Sequence, residues 1–92
     1  MMKYEIKQSS QFKRELKLLK KRNYDIKKLY KVVAILANGR LLPEKYLDHE
    51  LKGNHKGFRE CHITNDWLLV YRYYDESLIL FLSRTGTHSD LF

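Results

Sequence analysis

The sequence predicts a small α+β domain in the order β-α-α-β-β-β, a helical hairpin packed on a small, mainly antiparallel sheet. Three observations predict it. Apolar residues recur at helical spacing from Phe12 to Ala37. From Phe58 the pattern changes to short aromatic and aliphatic runs typical of strands. Those runs are separated by turns too short for anything but a meander. A chain of 92 residues supports one core, so residues 1–92 are expected to form a single domain.

Taken in order, Lys3 to Lys7 alternates as a first strand, with Tyr4 and Ile6 on one face. Ser9 or Ser10 supplies an N-cap, and Phe12, Leu16 and Leu19 then form one apolar stripe among lysines and arginines. Asp25 caps a second helix in which Ile26, Leu29, Tyr30, Val33, Leu36 and Ala37 keep the period. Asn38-Gly39 closes it. Residues 40–57 read as a connector punctuated by Pro43, Gly53 and Gly57. Strands follow over Phe58–Ile63, Trp67–Tyr74 and Leu78–Ser83, with turns at Thr64-Asn65-Asp66 and Asp75-Glu76. The last of these strands is apolar on both faces, which predicts a central position in the sheet, with one face under the helices.

Composition narrows the function classes. Hydrophobic residues make up 43% of the chain, enough for a packed interior and against disorder. No apolar run approaches the ~18 residues of a membrane span, and the N-terminus lacks a secretory pattern. Cys61 is the single cysteine, so no internal disulfide forms, which fits a reducing cytoplasm. Charge is segregated. Residues 1–40 hold twelve basic and three acidic side chains, whereas residues 41–92 hold six and eight together with all four histidines. A basic flank joined to a nearly neutral, histidine-bearing half suggests a polyanion gripped by one part and handled by the other.

If Asp75-Glu76 is a two-residue turn, Trp67 lies opposite Arg84 and His62 lies near Trp67 on its other side. Asp66 then sits at the lip of this row, His88 folds back on the same rim, and His49 enters from the connector. Such a set suits RNA cleavage by attack of the substrate's own 2′-hydroxyl on the adjacent phosphate. Histidine serves as base or acid near neutrality. Arginine offers a fork to phosphate oxygens. Trp67 and Phe92 are expected to stack on unpaired bases. The chemistry requires no metal or other cofactor, and the chain carries none of the usual metal-ligand spacings. Cys61, His62 and His88 are the nearest imitation of one.

The segments Asp48-His49-Glu50-Leu51-Lys52-Gly53, Lys56 to Ile63, Asp66 to Tyr71 and Arg84 to Phe92 resemble the YafQ-type toxins of the RelE/ParE superfamily, from bacterial type II toxin–antitoxin systems. The likeness extends over nearly the whole chain. It implies a RelE-like fold and a ribosome-dependent mRNA endonuclease cutting A-site codons, silenced by a cognate antitoxin. Carried over, the functional set is His49, His62, Asp66, Trp67, Arg84, His88 and Phe92, all present here. His88 and Asp66 would lead the proton transfers, His49 and His62 would share or orient them, and Arg84 would hold the scissile phosphate. Lys13, Lys17, Lys20 and Lys21 would grip ribosomal RNA, and an acidic antitoxin would wrap the same basic helices. Two departures stand out: a longer second hairpin around Tyr74–Ser77, and Ser83 before Arg84 where an acidic residue is common. The alternative within the superfamily is a ParE-like toxin that inhibits DNA gyrase by binding alone, which has no chemical use for the histidine rim.

Overall fold

The computed structural model describes residues 2–92. Strand β1 (Glu5–Gln8) leads into helix α1 (Ser10–Lys21) and helix α2 (Ile26–Ala37). Strands β2 (His49–Glu50), β3 (Arg59–Thr64), β4 (Trp67–Tyr74) and β5 (Ile79–Gly86) follow, and a short helix α3 (His88–Leu91) ends the chain. The five strands make one sheet in the order β1-β5-β4-β3-β2, antiparallel except for the β1–β5 pair. This is a RelE-like arrangement. Among the described residues, no helix is long and apolar enough to cross a membrane.

The helices begin and end where local chemistry dictates. The Ser9 hydroxyl accepts from Phe12 N at 2.9 Å and Asp25 accepts from Lys27 N at 3.2 Å, each satisfying an orphan donor of the first turn. Gly39, at φ +72°, closes α2 by donating to Leu36 O, and Arg40 N then reaches Ile35 O. Phe12, Leu16 and Leu19 are buried as their spacing predicts. In α2 the buried stripe runs through Leu29, Val32, Val33 and Leu36, while Tyr30 is 53% exposed, outside the stripe assigned to it.

Alternation in the sheet separates two faces. Cys61, Leu69, Tyr71, Leu80 and Leu82 join the helices in the main core. Leu68 and Val70 point the other way and are covered by Leu91, Leu51 and Phe58. β5 lies between β1 and β4, flanked on both sides, but the central place expected for it belongs to β4.

The strand register differs from the expected one. The turn after Tyr74 uses four residues, with Leu78 at φ +51°, and pairing resumes at Tyr74↔Ile79. A bulge at Ser83 moves the partners by one more residue, so Arg84 faces Val70 and not Trp67. Another irregularity near Ile63 sets His62 opposite Leu68 and Thr64 opposite Trp67. Two elements were absent from the expected order. The edge strand β2 pairs His49 with Glu60, and α3 starts on a capping box between Thr87 and Asp90.

Candidate active site

Residues directly opposed across antiparallel strands share a face. The pairs His49↔Glu60, Glu60↔Val70 and Val70↔Arg84 therefore form one row across four strands, on the face away from α1 and α2. His62 lies one pleat further along the same face of β3. At that end the β3–β4 turn presents Asp66, and α3 brings His88 over it. The His62 and His88 rings stand 5.8 Å apart between centroids.

All three histidines are tethered through Nδ1. His49 Nδ1 lies 2.8 Å from Leu47 O, His62 Nδ1 lies 3.3 Å from Asn65 O, and His88 Nδ1 lies 2.8 Å from Asp66 Oδ1. Each partner only accepts, so Nδ1–H donates and Nε2 is left for other work. At His49 that nitrogen faces Glu60 Oε1 at 3.4 Å. Glu60 is 6% exposed, and its Oε2 has no hydrogen-bond partner. At His88 the main-chain N–H also donates to Asp66 Oδ1, so one carboxylate fixes both the ring and the first turn of α3. These bonds hold the Asp66 carboxyl below its ordinary range, the side-chain bond to His88 contributing most.

Arg84 is fixed from α1. Glu15 Oε2 accepts from Arg84 Nη2 at 2.7 Å and from Nε at 3.2 Å, and Glu15 Oε1 accepts from Thr85 N at 3.1 Å. β1 ends at Gln8, so beyond Leu82 the outer edge of β5 lacks a strand neighbour; Ser9 and Glu15 occupy it. The far side of the guanidinium points at the Leu91 carbonyl. A cavity of about 260 Å³ opens beside it, lined by Leu51, Phe58, Val70, Arg84, Leu91 and Phe92 among others. Phe92 is 68% exposed there.

The anchoring of His49 comes from the opposite face. Asp48 accepts from Tyr71 Oη at 2.5 Å and from Arg59 Nη2 at 2.9 Å and Nε at 3.2 Å. Burial and the bond to Asp48 push the Tyr71 hydroxyl far up, so it stays a donor. Because successive side chains alternate, pinning Asp48 on the helix face turns His49 to the other.

Six expected site residues thus lie on or around this face: His49, His62, Asp66, Arg84, His88 and Phe92. Trp67 does not. It is 1% exposed, its ring is edge-on to Tyr24, and its indole N–H donates to the buried Thr85 hydroxyl at 2.9 Å. A side chain enclosed in the core has no face to offer a base, so the stacking role expected for Trp67 is corrected to a packing one. Lys13, Lys17, Lys20 and Lys21 are exposed on α1 as their spacing predicts. Cys61 and His62 point to opposite faces, and burial pushes the Cys61 thiol up, so the Cys61/His62/His88 set does not converge. Sequence reasoning missed Glu60 and Glu15. The pairing of β2 with β3 marks Glu60, but a two-residue strand leaves almost no sequence signal. Glu15 is indistinguishable in the sequence from any other acidic residue of a basic helix.

Comparison with known proteins identifies the family and the fold. Residues 4–92 match the family model described as the bacterial toxin of a type II toxin–antitoxin system, YafQ. The mRNA interferase toxin YafQ of Escherichia coli K12 is 41% identical over 93 aligned residues, covering 100% of this chain and 99% of the relative. The E. coli DinJ–YafQ complex contains a chain that superposes with a TM-score of 0.89 at 40% identity, covering 97% of this chain and 98% of that one. A metal-bound toxin from Helicobacter pylori superposes with a TM-score of 0.90 at 49% identity, with 100% of both chains covered. With its fold and nearly its full length matched, the chain belongs to the YafQ family of type II toxin–antitoxin toxins.

Proposed function

We propose that this toxin is an mRNA endonuclease acting on translating ribosomes, held inactive by an antitoxin bound to its basic helices. The observation that carries the reading is the set of three imidazoles tethered by Nδ1 on one open face, beside an arginine fixed by a carboxylate. In the reaction the 2′-oxygen bonds to phosphorus as the bond to the 5′-oxygen breaks. One proton leaves the 2′-hydroxyl and another reaches the 5′-oxygen, giving a 2′,3′-cyclic phosphate and a 5′-hydroxyl. The His88–Asp66 and His49–Glu60 pairs supply the two proton-transfer stations, and His62 lies beside His88 to orient the sugar. Arg84, aligned by Glu15, meets the charge that grows on the phosphate oxygens. Every step has a protein group to perform it, so the mechanism asks nothing of a metal.

The ribosome supplies what so small a surface lacks. The site is a shallow face, and the exposed lysines of α1 offer a grip for ribosomal RNA whose strength falls with salt. The E. coli relative is crystallised with DinJ, which supports a cognate antitoxin for this chain, acidic where it covers net +9 over residues 1–40. Primer extension on a translated message, and on the same message without its start codon, tests the proposal. Cuts confined to the translated message are expected. Equal cutting of both would remove the ribosome requirement, and growth arrest with intact mRNA and lost supercoiling would favour gyrase inhibition.

A further inference from the structure

Another concavity lies around the edge of the sheet from the catalytic row. It measures about 420 Å³, within the range of small-ligand sites of about 300–1,000 Å³, and is bounded by α2, the Glu44–Tyr46 turn and the β3–β4 turn. Lys28 and Lys31 of α2 and Lys45 of the turn line it, with no carboxylate among the lining residues. None of the three lysines is ion-paired among the described residues. The Lys45 ammonium is held over the Tyr46 ring at 5.1 Å. Thr64 and Asn65 add uncharged donors and acceptors, and β3 has no neighbouring strand along this edge beyond Glu60. His62 lines the same cavity, which makes it continuous with the histidine face.

We propose that this cavity is a nucleotide subsite of single-stranded RNA, in which Lys28, Lys31 and Lys45 hold a phosphate next to the one that is cut. The proposal rests on the RNA-cleavage reading and adds to it the path of the strand: from Phe92 and Arg84, across the histidines, to the lysine cavity. Three unpaired ammonium groups around one hollow select an anion. The volume fits one nucleotide and not a protein helix or strand, and the shared His62 places the anion one step from the reacting group. The lysines of α1 lie on a different surface and leave this assignment untouched.

The test uses the full chain and a fluorescein-labelled, fully 2′-O-methylated RNA trinucleotide, which binds but lacks the nucleophile. Lys28→Gln/Lys31→Gln/Lys45→Gln should bind it about tenfold more weakly than wild type at low salt. The slope of log affinity against log salt should shrink by about one for each lysine that meets a phosphate. Lys3→Gln/Lys7→Gln, which removes charge beside β1 at the opposite edge of the sheet, should bind close to wild type. Amide shifts on titration should concentrate at Ile63, Thr64 and Asn65. Equal weakening in both variants, silent amides at 63–65, or a loss of ribosome binding with unchanged trinucleotide affinity would each overturn the subsite. Failure of the cleavage reading has a different signature: the trinucleotide would still bind in the cavity, but wild type would leave translated mRNA intact.

Discussion

At the scale of single residues, the site is governed by which nitrogen each histidine exposes. A carbonyl or carboxylate holds Nδ1 of His49, His62 and His88, which leaves Nε2 of His62 and His88 for other work and points that of His49 at Glu60. His88→Ala should slow cleavage by ~100- to 10,000-fold in single-turnover assays while leaving antitoxin affinity close to wild type. A loss below tenfold would take His88 out of the proton transfer. Glu15→Gln should act on the same reaction from α1. It weakens the two bonds that align Arg84, so a fall of up to about 100-fold in kcat is expected with the fold intact by thermal melting. An unchanged kcat would mean that Arg84 aligns without it. Trp67 gives a simple check of its corrected role. As the single tryptophan, its fluorescence should be blue-shifted, resistant to acrylamide and indifferent to added RNA. Quenching by RNA would restore the stacking role.

At the scale of elements, α3 is the part most dependent on charge. Its capping box joins Thr87 to Asp90, Asp90 pairs with Arg22 at 2.8 Å, and Asp66 holds its first residue. The Arg22 guanidinium and the Thr87 backbone lower the Asp90 carboxyl to about 2. A lowered carboxyl stabilises the fold above its unfolded value near 3.8, and that contribution is lost as pH falls through about 2. Asp66, lowered by His88, adds a change of the same sign. Protection factors at His88–Leu91, corrected for the intrinsic exchange rate, should therefore fall between about pH 4 and pH 2, ahead of those in β4 and β5; a uniform loss of protection would contradict it. Thr87→Ala should cost about 1 kcal/mol in chemical denaturation. Both long helices, their caps and the three principal strands were legible in the sequence, because caps and apolar periods are local signals. The register was not. It depends on the four-residue turn at Asp75–Leu78, where the resemblance marks a longer hairpin but not its register, and on bulges near Ile63 and Ser83 that no residue announces. That slip mispaired Trp67 with Arg84 and concealed the real row from His49 through Glu60 to Arg84. The Thr87-x-x-Asp90 signature of α3 was readable; the two-residue β2 had too few residues to register.

For the whole molecule, the sheet divides the labour. One face carries the helices and the main core, and the other carries the histidines, Glu60 and Arg84. The lysines of α1 thus lie behind the histidine-bearing face, whereas Lys28 and Lys31 of α2 reach the cavity at its edge. Antitoxin association should slow steeply as salt is raised from about 50 to 500 mM, because exposed charges are screened over such a range. A flat response would mean that exposed apolar residues such as Leu18 and Tyr30 guide the encounter. If this face cleaves RNA through the substrate's own 2′-hydroxyl, with protein side chains moving the protons, the reaction depends on that one oxygen. A single 2′-deoxynucleotide is placed at the cleavage position of an mRNA bound in the ribosomal A site, and the products are followed. No cut is expected at that position, and the unmodified message should give a 2′,3′-cyclic phosphate with a 5′-hydroxyl. Cleavage of the deoxy message at the normal rate would contradict it.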